Sequence, residues 1–316
     1  MRAPWIIALV AAACAGPERP RQTEPGPSAT PAPSPSGPSA FERLYFPADD
    51  ALFEKKRPAR PGEWLDRFKE PGQSFLRYQS SRPVRPSAER NALVLQPLGK
   101  FDARQSALLG KMREVMAAFF GLPVELRAAL PLPKKGQRTK TEGTRSWTQH
   151  YTRVLLDEVL EPRVPKNAVV YVGVTVEDLY PDPTWNFVFG QATLEQRVGV
   201  YSLARFFPEF WGEPERPGRE ARTFEKSAQI LVHETAHAFS LEHCTDYECV
   251  MNGSNSLEEL NGQFGELCPV CLRKLAWNIG FDPEARYAKL RDLYRREGAE
   301  DLAKWLDRRL TQLEGR

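Results

Sequence analysis

An α+β fold, with a mixed sheet, helices before and behind it, and a smaller cysteine-bearing part below, follows from three features of the sequence. Residues 168–176 are nearly continuous in β-branched side chains, as a strand buried on both faces requires. Apolar residues recur at helical spacing over 101–120 and again in the run 230–239. Four cysteines cluster between positions 244 and 271. The chain has 316 residues, of which 41% are apolar, enough to bury a core. Acidic and basic residues are nearly balanced, 41 against 44, and interspersed, which argues against a nucleic-acid or polybasic membrane surface.

Residues 1–14 stand apart from the fold. Arg2 followed by the apolar run 5–13 has the charge and length of a secretory signal and is too short to cross a bilayer as a helix. The run ends at Cys14, preceded by Ala11, Ala12 and Ala13, and so resembles a bacterial lipoprotein signal, in which the cysteine becomes the lipidated first residue. A cleaved signal with an incidental cysteine is the plain alternative. Residues 15–40 hold eight prolines among Ser, Ala and Gly, a composition that stays extended and solvated as a stalk. The expectation is an exported lipoprotein, anchored to a membrane through Cys14 and facing the periplasm or cell exterior.

Residues 41–90 bring back aromatic side chains, among them Tyr45, Trp64, Phe68 and Tyr78, between breaks at Pro61-Gly62 and Pro71-Gly72. They read as an accessory segment of short helices and loops packed on the main body, with no chemistry assigned. The main domain, 91–282, opens with a short strand over 92–96, followed by the helix over 101–120, which Gly121 stops. Residues 130–143, with Lys134, Lys135, Arg138 and Lys140, read as a solvated basic loop. A helix is expected over 150–160, with His150 on its surface. After the strand 168–176 come shorter strands at 186–190 and 198–203, then a long loop over 207–218. The strand 186–190 is the expected sheet edge, where an extended peptide could add itself. Residues 283–316, with Tyr287, Leu290, Trp305 and Leu306 at helical intervals, read as a C-terminal helix docked on the domain.

The chemistry concentrates in residues 233–243. A helix here puts His233 and His237 one turn apart on one face, and Glu234 within reach of a water held by an ion between them. His243 lies six residues beyond His237, too far to share that face, so the chain must turn sharply to bring it back. Three nitrogens and one open position describe a catalytic metal site rather than a closed structural one. The chain has 4 His, and three of them stand here.

Cys244 follows His243 directly, and Cys249, Met251, Cys268 and Cys271 complete a pattern H-E-x-x-H-x-x-S-x-x-H-C-x4-C-x-M, then sixteen residues, then C-x-x-C. That pattern resembles the archaemetzincin family of zinc metalloproteases, in the metzincin clan, and weaker similarity runs from about Leu93 to Gly280. The resemblance implies a metzincin-like mixed sheet with an active-site helix and a smaller zinc-stapled C-terminal part. It implies a peptidase in which His233, His237 and His243 bind a catalytic zinc and Glu234 activates its water. Met251 would be the methionine beneath the metal, and Cys244, Cys249, Cys268 and Cys271 would hold a structural zinc, two Zn2+ per chain in all. The substrate would be a peptide or protein, and the enzyme a monomer that binds no nucleic acid.

Ser240 stands where the family has glycine, at a helix end that needs a positive φ to swing His243 back. A non-glycine residue there costs about 1 kcal/mol or a little more. Two other readings are open. In a gluzincin-type site Glu258 or Glu259 supplies the third ligand in place of His243. In a non-catalytic surface lipoprotein the zinc sites are merely structural, although Glu234 is then unexplained. For the four cysteines, export favours disulfides such as Cys244–Cys249 and Cys268–Cys271. Their spacing, C-x4-C and C-x2-C, favours a closed tetrahedral zinc site, which is the expectation kept here. The only cysteine upstream of the motif is Cys14, so no thiol latch over the metal is expected.

Overall fold

The computed structural model of the chain describes residues 45–46, 51–214 and 216–315. The expected signal, the stalk and Cys14 lie outside them. Two short helices, α1 (Trp64–Arg67) and α2 (Phe75–Ser80), precede β1 (Ala92–Leu98). Next come α3 (Ala103–Phe120), β2 (Val124–Leu126), β3 (Gln137–Glu142) and β4 (Arg145–Tyr151). The chain continues through α4 (Thr152–Val154), which widens into a π-helical stretch over Leu155–Leu160, to β5 (Ala168–Thr175), β6 (Asp178–Tyr180), β7 (Gly190–Ala192) and β8 (Val198–Ser202). The long helix α5 (Arg219–Ala238) is followed by α6 (Leu257–Gly262), α7 (Pro269–Ile279), α8 (Pro283–Arg296) and α9 (Glu300–Glu314).

The main sheet has the order β2-β1-β5-β8-β7. Its first three pairings are parallel, and β7 closes one edge antiparallel to β8. Every residue of β5 is buried, and alternate side chains go to opposite faces as strand geometry demands. Leu93, Leu95, Val170, Val172 and Val174 pack into the larger core with α3 and α5, while Val94, Tyr171, Val198 and Val200 meet Leu155, Leu156 and Leu160 on the other face. Helical cover on both faces is what a largely parallel sheet requires.

Local signals set α3 firmly. Asp102 and Gln105 form a reciprocal capping box, and Gly121 ends the helix at φ 65°. Its buried stripe, including Met112, Val115, Met116 and Phe119, is fully shielded, each side chain contributing about 1.5–3 kcal/mol.

Four expectations are corrected. His150 is neither helical nor at the surface: it lies in β4, 2% exposed, opposite Gln137 of β3 and beside Leu179 of β6. Tertiary pairing of β4 outweighed its helical reading, and the helix begins at Thr152. The basic loop is half strand. Its Arg138 donates to Gln149 Oε1 (2.8 Å) and to backbone carbonyls of 183–186, and Lys140 reaches Asn186 Oδ1 (2.9 Å). The edge strand is Gly190–Ala192, beginning four residues beyond the expected start at 186 and sharing only Gly190 with the expected strand, while Val188 makes an isolated bridge to Leu179. The C-terminal segment is a helical hairpin, not one helix: the chain breaks at Gly298, φ 78°, and Asp307 of α9 pairs back to Arg291 and Arg295 of α8.

Candidate active site

Helix α5 carries His233, Glu234 and His237 near its C-terminal end, where residues 230–238 are all buried. Its end is a Schellman turn. The Leu241 N–H donates to Ala236 O (3.1 Å), Ser240 N–H donates to His237 O (2.7 Å), and Ser240 itself sits at φ 69°. The left-handed residue predicted from the glycine position is therefore present with a serine side chain. The Ser240 hydroxyl offsets the strain, donating to Leu194 O (2.6 Å) and accepting from Val84 N (3.1 Å).

The turn returns His243 to the helix. Histidines 233, 237 and 243 can each offer a nitrogen within 4.8 Å of the others. His233 Nδ1–H donates to Val250 O (2.8 Å), His237 Nδ1–H to Leu241 O (2.6 Å), and His243 Nδ1 lies 3.0 Å from both oxygens of Glu70. A carbonyl can only accept, so Nε2 of His233 and of His237 each keep a lone pair, and these two atoms stand 3.0 Å apart. Two facing lone pairs repel unless a cation lies between them, and tetrahedral zinc–nitrogen bonds of about 2.0–2.1 Å set their nitrogens roughly 3.3 Å apart. The donor set fits a metal. Burial pushes His233 down to about 3, with neighbouring His243 adding to it, and pushes His237 well below the usual imidazole range, so both stay neutral and ready to ligate.

Glu234 is 1% exposed, and its Oε1 has no hydrogen-bond partner. Burial alone raises its carboxyl to about 8. It lies with His237 and His243 in the wall of a cleft of about 980 Å³, whose other side is built by β7 and by Glu70. Gly190 of β7 touches it: a Cβ at that position would come within 2.6 Å of the Glu234 carboxylate.

The cysteines form a second buried cluster, their sulfurs also within 4.8 Å of one another, and all four are free thiols. Backbone N–H groups of Met251 and Cys268 donate to Cys249 Sγ (3.5 and 3.3 Å), and that of Cys271 donates to Cys268 Sγ (3.5 Å), as suits thiolates. Neighbouring thiols hold Cys244 well below the usual thiol range, whereas burial pushes Cys249 and Cys268 well above it. Four sulfurs so close together in a buried space are the donor set of a closed tetrahedral metal site, and a bound cation would take them as thiolates. Met251, two residues after Cys249, is fully buried: its carbonyl accepts from Cys244 N (2.8 Å), and its neighbour Val250 orients His233.

The gluzincin alternative finds no support. Glu258 is exposed, and the Glu259 carboxylate is taken up by the backbone N–H groups of Trp64 (3.1 Å) and Asn255 (2.7 Å). Sequence reasoning missed Gly190, Trp64 and Glu70. Nothing local marks Glu70 among the 41 acidic residues, because its partner is 173 positions away.

Residues 150–277 match the sequence pattern of peptidase family M54. Archaemetzincin-2 of Pongo abelii is 32% identical over 281 residues, which span 79% of this chain and 76% of that protein. The chain belongs to the archaemetzincin family. It is accordingly a zinc-dependent metallopeptidase, with a peptide or protein as substrate. The archaemetzincin of Pyrococcus furiosus is 31% identical over 191 residues, covering 95% of that shorter protein but 60% of this chain. A crystal structure of archaemetzincin from Methanopyrus kandleri aligns at TM-score 0.49 and 29% identity, over 61% of this chain and 97% of that one. Trp64 and Glu70 lie outside the stretch matched by the family pattern.

Proposed function

We propose that this archaemetzincin hydrolyses peptide bonds at a site where His233, His237 and His243 hold one zinc and Glu234 is the general base, and that Cys244, Cys249, Cys268 and Cys271 hold the second zinc. The observation that carries this reading is the convergence of three imidazoles, all fixed through Nδ1, beside a buried carboxylate with an unpartnered oxygen. When bound, zinc supplies a Lewis acid that polarises the substrate carbonyl and makes water more acidic. Glu234 takes the proton of the attacking water and returns it to the leaving amine. Burial raises the Glu234 carboxyl to about 8, so without a metal it keeps its proton at neutral pH; a nearby dication draws that value back down and leaves a carboxylate able to act as base. The Met251 thioether packs under the site and shapes it without ligating.

The edge strand supports a docking mode. Ser202 N donates to Phe189 O (2.7 Å) and Thr193 N to Val198 O (2.9 Å), so 189, 191 and 193 exchange bonds with β8. Gly190 and Ala192 therefore turn their N–H and C=O groups outward, towards the cleft. An extended substrate adds there as a further strand, its scissile carbonyl beside Glu234.

The same reading extends to location. Arg2, the apolar run 5–13 and Cys14 support export and lipid attachment, and 15–40 a stalk holding a monomeric enzyme off the membrane. Among the described residues no helix is long and apolar enough to cross a bilayer. Loss of radiolabelled palmitate and of membrane association in Cys14→Ser tests the anchor; a variant that stays labelled refutes it.

The function is tested by elemental analysis beside terminal profiling of a cleaved peptide library. Wild type is expected to hold two zinc ions. Glu234→Ala keeps both and loses hydrolysis by about 10²–10⁴-fold, whereas His243→Ala loses one zinc. A Glu234→Ala protein that cuts like wild type, or a His243→Ala protein that keeps two zinc ions, overturns the assignment.

A further inference from the structure

Of the three histidines, two ride on a rigid helix and one on a five-residue turn that has no helix of its own. What holds that turn is the N-terminal segment. Tyr78 Oη–H donates to Phe239 O (2.8 Å). Gln73 grips both sides of the turn, its Nε2 donating to Ser240 O (3.1 Å) and its Oε1 accepting from Glu242 N (3.2 Å). Val84 N donates to the Ser240 hydroxyl (3.1 Å), and Arg77 pairs with Glu242 (2.8 Å). The Trp64 ring meets the His243 ring edge-on at 5.0 Å between centroids, and Glu70 places both carboxylate oxygens 3.0 Å from His243 Nδ1.

We propose that Glu70 is a positioning residue of the metal centre, so that the N-terminal strap completes the site. Glu70 accepts the Nδ1 proton of His243 and thereby fixes the tautomer that leaves Nε2 free to ligate. His233 and His237 have neutral carbonyls in the corresponding place; His243 alone has a carboxylate, whose two oxygens aim the ring. The strap gives His243 the fixed orientation that the other two take from α5. This inference rests on His243 being a ligand, as proposed above.

The test uses the full chain and reads metal, not turnover. Zinc is withdrawn by a competing chromophoric chelator from wild type, Glu70→Ala, Glu70→Gln and His243→Ala, and the visible spectrum of each is recorded after cobalt substitution. Glu70→Ala is expected to bind one of the two zinc ions about 10–100-fold more weakly and to hold the other unchanged. It should also shift the cobalt bands of the histidine site without altering the sulfur-to-cobalt absorption. Glu70→Gln, whose amide oxygen can still accept from Nδ1–H, recovers most of the affinity. Wild-type affinity and spectrum in Glu70→Ala would overturn the proposal, and so would equal weakening of both zinc ions, which would make Glu70 a plain structural latch. Retention of both ions by His243→Ala would instead sink the ligand assignment beneath it.

Discussion

Gly190→Ala isolates the contact between the edge strand and the general base. The φ of Gly190 is not among the positive values of this chain, so alanine is conformationally permitted and only space opposes it. Its Cβ would stand 2.6 Å from Cγ, Cδ and Oε1 of Glu234. Raising such a contact to the roughly 3.5 Å of ordinary carbon packing displaces the carboxylate by about 0.9 Å. A misplacement of about 1 Å at a reacting group costs about 10²-fold in rate, or about 2.7 kcal/mol of barrier. The overpacking itself costs about 1–3 kcal/mol of stability. The assay is kcat on a peptide chosen from the library, beside zinc content and a urea unfolding curve. Gly190→Ala is expected to keep two zinc ions and a folded chain while kcat falls about 100-fold. Wild-type kcat would refute the reasoning, and loss of zinc would show that the clash is relieved through the ligands instead of through Glu234.

Two further predictions concern the turn and the buried imidazoles. Ser240→Ala keeps the strained φ of 69° and loses the hydroxyl bonds to Leu194 and Val84, so it should destabilise by about 2 kcal/mol at about 1 kcal/mol per bond. Ser240→Gly loses the same bonds but regains about 1 kcal/mol of backbone strain, and should fall between the two in urea unfolding; an alanine variant as stable as wild type would contradict this. Metal-free protein should be acid-sensitive, because folded His233 is held down to about 3 while the unfolded chain takes up its proton near 6.5. The unfolded state then binds more protons throughout that window, and stability falls as pH drops from 6.5 towards 3, by about 2 kcal/mol at pH 5 from this group. Glu234 acts oppositely: raised to about 8, it gives stability that is present below 4.5 and lost as pH rises towards 8. The measurement therefore belongs in a Glu234→Gln background, where equal unfolding free energies at pH 7 and pH 5 would refute it.

The sequence by itself determined what local spacing encodes. The buried strand β5 is legible from its own unbroken β-branched run, and the capped helix α3, the i, i+4 pair His233 and His237, the sharp return to His243 and the cysteine quartet are legible because their signals lie within a few turns or in a short and regular spacing. Even the left-handed residue at Ser240 could be read from its place after the helix. Only the tertiary structure decided the rest. His150 became a buried strand residue because β3 and β6 pair with β4 on either side, which no periodicity in 150–160 announces. Gly190 matters for the space it leaves to Glu234, 44 residues further along the chain, and spacing says nothing of a close approach across a sheet edge. Glu70 is the clearest case. A carboxylate among many on a proline- and glycine-broken segment acquires a role only when a fold brings it 3.0 Å from His243. Metal ligands come in spaced motifs because one element presents several of them together. The groups that orient those ligands need only one hydrogen bond each, and any element that passes nearby can provide it.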